Sequence, residues 1–86
     1  MTQLENYIKW AEKWGKPLWL TEWSCRQQSA QVTQAFYDAA VAMFAKHPLV
    51  ERYAWYLTRS SGDFAGGALL DANGAPTPLG TDYAAR

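Results

Sequence analysis

The sequence is poor in the residues that cross-link chains or bind metals. One cysteine, Cys25, excludes an internal disulfide, and with one histidine, His47, there is no Cys or His pair at metal-ligand spacing. No Gly-rich phosphate loop is present, and no metal or other cofactor is expected. Charge of either sign is also missing in net terms. Eight basic and eight acidic side chains cancel and are spread along the chain, so no basic stripe points to nucleic acid or an anionic membrane. No apolar run reaches membrane-spanning length, and the first residues lack the apolar core of a signal peptide. Neither an internal repeat nor a linker is visible. At 86 residues the chain is at most one small domain with a modest core. What it has in excess is tryptophan, five in all, a residue that fills cores and also stacks on sugar faces.

The periodicity predicts an α/β order: helix, strand, helix, strand, loop and short terminal helix. Thr2 to Trp14 reads as a helix, with Thr2 and Glu5 at capping-box spacing, a stripe of Leu4, Tyr7, Ile8 and Ala11, and Gly15 as a left-handed stop. Pro17 suits the first position of a strand, Leu18 to Trp23. Ser29 is a plausible N-cap for a helix from Ala30 to Lys46, whose expected packing face is Val32, Phe36, Ala40, Met43 and Phe44, with Tyr37 and Ala39 at its margins. His47 suits that helix's C-terminal end. Val50 to Leu57 is a second strand, β-branched and aromatic, and the spacing makes the two strands parallel through a crossover. Thr58 to Gly67, with Ser60-Ser61-Gly62, reads as a flexible loop. A turn follows at Asn73-Gly74, and Thr77 to Arg86 begins a final helix. Two helices cannot cover both faces and both edges of two apolar strands, so the strands read as central members of a larger sheet.

Strict alternation puts Leu18, Leu20 and Glu22 on one face of the first strand and Trp19, Thr21 and Trp23 on the other. A carboxylate thus continues an apolar row at the strand's C-terminal end. An unpartnered buried charge is costly, so Glu22 must meet solvent, a cation, hydrogen-bond donors or a substrate. Two readings stand side by side: the first wet residue after a buried strand, or a functional carboxylate.

Lys16-Pro17-Leu18-Trp19-Leu20-Thr21-Glu22-Trp23, then Arg52-Tyr53-Ala54-Trp55-Tyr56, then Ala68-Leu69-Leu70-Asp71-Ala72-Asn73-Gly74 with Thr77-Pro78-Leu79-Gly80 and Tyr83, together form a recognisable series. It resembles the C-terminal part of the Asl1-like glycosyl hydrolase catalytic domain, glycoside hydrolase family 128. That family consists of retaining (β/α)8 barrels acting on β-1,3-glucans. The resemblance implies a partial TIM barrel over residues 1–86, covering the seventh and eighth strands with flanking helices.

It further implies an endo-β-1,3-glucanase-like hydrolase whose catalytic nucleophile is Glu22 and whose sugar platform is Trp55. Trp23 borders the cleft, and Tyr53 or Tyr56 offers a hydroxyl to the sugar. Trp19 and Trp23, opposite Glu22, are expected to pack against the outer helices. Enzymes of this clan often carry a non-proline cis peptide after the eighth-strand tryptophan, here Trp55–Tyr56. A retaining glycosidase needs a nucleophile and an acid/base carboxyl about 5–5.5 Å apart. In the family the acid/base is a glutamate on the fourth strand. None of Glu5, Glu12, Asp38, Glu51, Asp63, Asp71 and Asp82 matches it. The expected partners are therefore a β-glucan polysaccharide and the N-terminal part of the barrel, and the isolated chain is expected to be inactive. The family is usually secreted or wall-associated. The competing reading is a non-catalytic module that binds carbohydrate or protein through exposed aromatics.

Overall fold

The computed structural model describes residues 2–59 and 62–85, with the backbone alone at 63–65; Ser60 and Ser61 of the expected loop lie outside the described residues. The chain runs α1 (Thr2–Trp14), β1 (Leu18–Trp23), α2 (Ala30–Ala45), β2 (Val50–Trp55), a 3₁₀ helix (Gly62–Gly67) and α3 (Pro78–Ala85). The α/β order and the parallel pairing of β1 with β2 are those the sequence predicts. The stretch expected to be only loop instead contains the 3₁₀ helix, and β2 ends at Trp55, short of Leu57.

Local chemistry sets the element ends. Gly15 adopts φ 62°, the left-handed conformation that closes α1. Ser29 stands at the N-cap of α2 and its hydroxyl accepts the Val32 N–H at 3.2 Å. At the other end the Lys46 N–H reaches the carbonyls of Met43 and Phe44. His47 lies with Nδ1 3.7 Å from Glu12 of α1, a helix-end contact. Asp71 Oδ1 accepts the N–H groups of Asn73 and Ala75, shaping the turn before α3. Thr77 then accepts the Gly80 N–H at 3.0 Å and gives its own hydroxyl proton to Ala68 O at 2.6 Å, which caps α3 and pins it to the preceding strand-like segment. A β-carbon on Gly80 would collide with the Leu69 carbonyl, so only glycine allows this approach.

The core lies on one side of the sheet. Leu4 and Ile8 of α1, Leu20 and Trp23 of β1, Tyr37, Ala40 and Phe44 of α2, Trp55 of β2 and Leu79 of α3 form one buried cluster. The buried face of α2 is Thr33, Tyr37, Ala40, Val41 and Phe44, rotated from the expected face, and Val32 is 49% exposed. The alanine-rich helix has only a weak apolar stripe of its own, so the strand aromatics select the face: Tyr37 stacks on Trp23 with rings 8° from parallel. The other side of the sheet is open. Trp19, Thr21, Arg52 and Ala54 are all exposed there. The radius of gyration, 13.4 Å, exceeds the value of about 12 Å for a compact domain of this length, in keeping with an elongated body of 43 × 24 × 18 Å.

Candidate active site

The pairing of the two strands is not regular. Leu20 faces Tyr53 and Trp23 faces Trp55, so three steps along β1 match two along β2. The extra residue is a β-bulge at Thr21–Glu22, a device that bends a strand and re-aims side chains. Its consequence is direct. Leu20 and Trp23, which strict alternation puts on opposite faces, are both buried on the helix side. Thr21 and Glu22 are both exposed. The expected grouping of Trp19 with Trp23 against the helices is thus corrected on two counts. The helix side is Leu20's side, so Trp19 stands on the open face, 57% exposed. The bulge then moves Trp23 across to join Leu20.

Glu22 therefore sits in water at the C-terminal end of β1. It lines a cleft of about 330 Å³ together with Trp23, Ser24 and Tyr56. The charge is not sealed in hydrocarbon, and no burial cost needs to be offset. Trp23 Nε1 and Ser24 Oγ, from two residues that line this cleft, are buried without a hydrogen-bond partner among the described residues. Cys25, the next residue along, is a half-buried free thiol.

The aromatic residues expected to meet substrate are held elsewhere. Trp23 is 6% exposed and is surrounded by Tyr37, Phe44, Tyr53 and Trp55 at centroid distances of 4.8–6.0 Å. Trp55 is 7% exposed. Its ring lies edge-on to Trp23 and Tyr37, and its Nε1–H donates to Gly67 O at 2.7 Å. Gly67 makes that approach possible, since a β-carbon there would stand 3.1 Å from Trp55 Cζ2. Tyr53 is half-buried, against Phe44 and Trp23. Trp55, the residue expected as the sugar platform, is thus packed against Trp23 and Tyr37 within this chain. The expected cis bond at Trp55–Tyr56 is also overturned. No peptide bond among the described residues is cis, and the Tyr56 N–H donates to Trp23 O at 2.9 Å where the chain bends beyond the end of β2.

A second cleft, about 660 Å³, opens on the bare sheet face between Trp19, Thr21, Arg52, Ala54 and Tyr83. Here the Trp19 indole N–H donates to Glu51 at 2.8 Å and the Arg52 guanidinium lies 5.4 Å from the ring centroid. This cluster belongs to the first half of the strands, Glu22 to their last. Sequence alternation missed both the bulge and the consequent nearness of Tyr56 to Glu22. A bulge leaves no composition signal here, because Leu18 to Trp23 carries no glycine that would mark one.

Comparison with known proteins adds an independent line. The family model described as "Glycosyl hydrolase catalytic core" matches residues 1–83. The alkali-sensitive linkage protein 1 of Schizosaccharomyces pombe is 26% identical over 95% of this chain and 17% of its own length. The crystal structure of a family 128 (subgroup II) endo-β-1,3-glucanase from Sorangium cellulosum superposes with a TM-score of 0.80 at 30% identity, over 94% of this chain and 32% of that one. The chain thus spans about a third of the enzyme and about a sixth of the curated relative.

Proposed function

Because the chain belongs to the glycosyl hydrolase catalytic core family, we propose that residues 1–86 supply the seventh and eighth strands of a (β/α)8 barrel that hydrolyses O-glycosidic bonds of a polysaccharide. The substrate class is β-1,3-glucan, in keeping with the activity named for the Sorangium cellulosum enzyme. In this reading the open sheet face is turned to the barrel interior, and the helix side is the outer layer. Glu22 then stands at the C-terminal end of a barrel strand, the end where barrel enzymes carry their chemistry.

The observation that carries the proposal is the bulge that leaves Glu22 exposed in a cleft while Trp23 is packed away on the helix side. A hydrated carboxylate at the rim of a cleft can attack an anomeric carbon. The C–O bond to the leaving sugar breaks as a glycosyl ester forms on Glu22, and water later hydrolyses that ester. The leaving oxygen takes its proton from a second carboxyl about 5–5.5 Å away. Among the described residues, Glu22 is the acidic one lining this cleft, and Glu51 belongs to the opposite half of the strands. The acid/base therefore comes from the complementary part of the barrel, and the chain by itself is inactive. Trp23, Trp55 and Tyr53 form the rigid backing that fixes the strand ends.

The test joins these residues to the complementary barrel segment and replaces Glu22 by Gly. Laminarin hydrolysis should fall by at least about 10³-fold. Azide with an activated aryl glucoside should then restore turnover and give a glycosyl azide of inverted configuration. Undiminished turnover in Glu22→Gln would exclude the nucleophile role.

A further inference from the structure

We infer that Tyr7, Trp10 and Trp14 of α1 form a docking ridge for one further helix, the one that precedes α1 in the outer ring of the proposed barrel. The inference rests on the barrel reading above and names the surface through which the complementary segment meets this chain. Residues 7, 10 and 14 are three and four apart, so their side chains share one flank of the helix. Tyr7 and Trp10 meet edge to face, with ring centroids 5.6 Å apart. Trp10 is 57% exposed and Trp14 68%. Two indoles so far in water on one helix flank make an apolar patch of the kind that another element covers.

The other sides of α1 show which element that is. Leu4, Ile8 and Ala11 are its buried face, turned to the core. Glu12 marks the side toward α2, since its carboxylate lies 3.7 Å from Nδ1 of His47, just past the end of that helix. At 3.6 residues per turn, Trp10 and Trp14 each stand about 160° around the helix from Glu12. Their flank therefore points away from α2. In a (β/α)8 barrel every outer helix has a helix on either side. One neighbour of α1 is α2, and the tryptophan flank is left for the other. Among the described residues β1 pairs with β2 alone, so the strand edge beyond it is open to the same unit. Charge narrows the partner further. Lys9 and Lys13 border the ridge on its solvent side, with Lys13 Nζ 5.3 Å from the Trp14 ring centroid, while Glu5 and Glu12 lie toward α2. The occupant is thus an amphipathic helix, with an apolar stripe against the indoles and Asp or Glu beside the two lysines.

The experiment mixes the full chain with the complementary barrel segment and follows assembly by calorimetry. Laminarin turnover and laminari-oligosaccharide binding are measured on the assembled barrel. Variants are Trp10→Ala/Trp14→Ala, Trp10→Phe/Trp14→Phe, Lys9→Glu/Lys13→Glu and Glu22→Gln. The alanine pair should weaken assembly at least about tenfold, while turnover and sugar affinity at saturating segment stay within about twofold of the parent. The phenylalanine pair should keep most of the assembly affinity. The glutamate pair should weaken assembly, and more at low salt than at high. The urea midpoint of the chain alone should not fall in the alanine pair, because both indoles are exposed there. A fall would make them part of the chain's own core and overturn the ridge. Unchanged assembly in the alanine pair, with Glu22→Gln assembling but not turning over, also overturns it and leaves the glycosidase reading standing. Self-association of the chain through these tryptophans, or sugar binding lost with them at full assembly, does the same by giving the ridge to a second copy or to the glucan. Full turnover in Glu22→Gln, or no assembly by the unsubstituted chain, removes the barrel reading and this inference with it.

Discussion

Trp23 carries more of the site than its place beside Glu22 suggests. Its indole touches Phe36, Tyr37, Phe44, Tyr53 and Trp55, so it links β1, α2 and β2 in one contact set. Removing a buried ring of this size costs about 3–5 kcal/mol, a large share of the 5–15 kcal/mol that typically holds a domain together. Trp23→Ala should therefore shift the urea midpoint strongly or leave no cooperative transition. Tryptophan fluorescence would report it, and a loss under about 1 kcal/mol would show that Trp23 is not the centre of the core. Glu22 is the opposite case. It is exposed, so Glu22→Gln should leave the urea midpoint within about 0.5 kcal/mol of the parent while abolishing hydrolysis in the assembled barrel. A residue that matters to activity and not to stability is what a catalytic carboxylate at a strand end should be.

Among the elements, α2 is the one most exposed to a local test. Its N-terminus depends on the Ser29 hydroxyl accepting the Val32 N–H. Ser29→Ala should cost about 1 kcal/mol and Ser29→Gly only a few tenths, measured by urea unfolding. Equal effects from the two would mean that the hydroxyl bond contributes little. The α3 end is held differently, by Thr77 bridging Ala68 O and the Gly80 N–H and by the absence of a side chain at Gly80. Gly80→Ala should detach α3 from the Leu69 carbonyl. Loss of the hydrogen bond from the Trp55 N–H to the Tyr83 hydroxyl, 3.4 Å in the intact chain, would be visible as faster exchange of the Trp55 amide. Protection of that amide equal to the parent's would rule out the coupling. The bulge is the element-scale feature that decides function in the proposed reading, because it parts Glu22 from Trp23.

At the scale of the whole molecule, the chain has a finished side and an unfinished one. The helix side buries an aromatic cluster; the sheet's other face shows Trp19, Thr21, Arg52 and Ala54 to water. A sheet with a bare face and free edges is stable when something covers it. In the proposed barrel that cover is the complementary strands, which also bring the acid/base carboxyl. The chain alone should show no laminarin hydrolysis. Mixed or co-expressed with the complementary segment, it should gain activity as Trp19 becomes buried, followed by a blue shift of its emission. Hydrolysis by the chain alone would mean that both catalytic carboxyls lie within these residues.

Much of this was legible from residue order. Thr2 to Trp14, Ala30 onward, Gly15, Ser29 and Pro17 announce their elements because capping and backbone preference are local, acting within a turn of the residue that carries them. The stretches from Lys16 to Trp23, Arg52 to Tyr56 and Ala68 to Gly80 carried the family together. What alternation could not supply was the extra residue at Thr21–Glu22, the turn of α2 toward Tyr37 in place of Val32, or the burial of Trp55 beside an exposed Tyr56. Those were decided in the tertiary structure, because a register shift and a helix's rotation are settled by which aromatic rings fill the space between β1, β2 and α2. A one-residue difference in spacing is invisible in composition, yet it determines which side chains face the cleft.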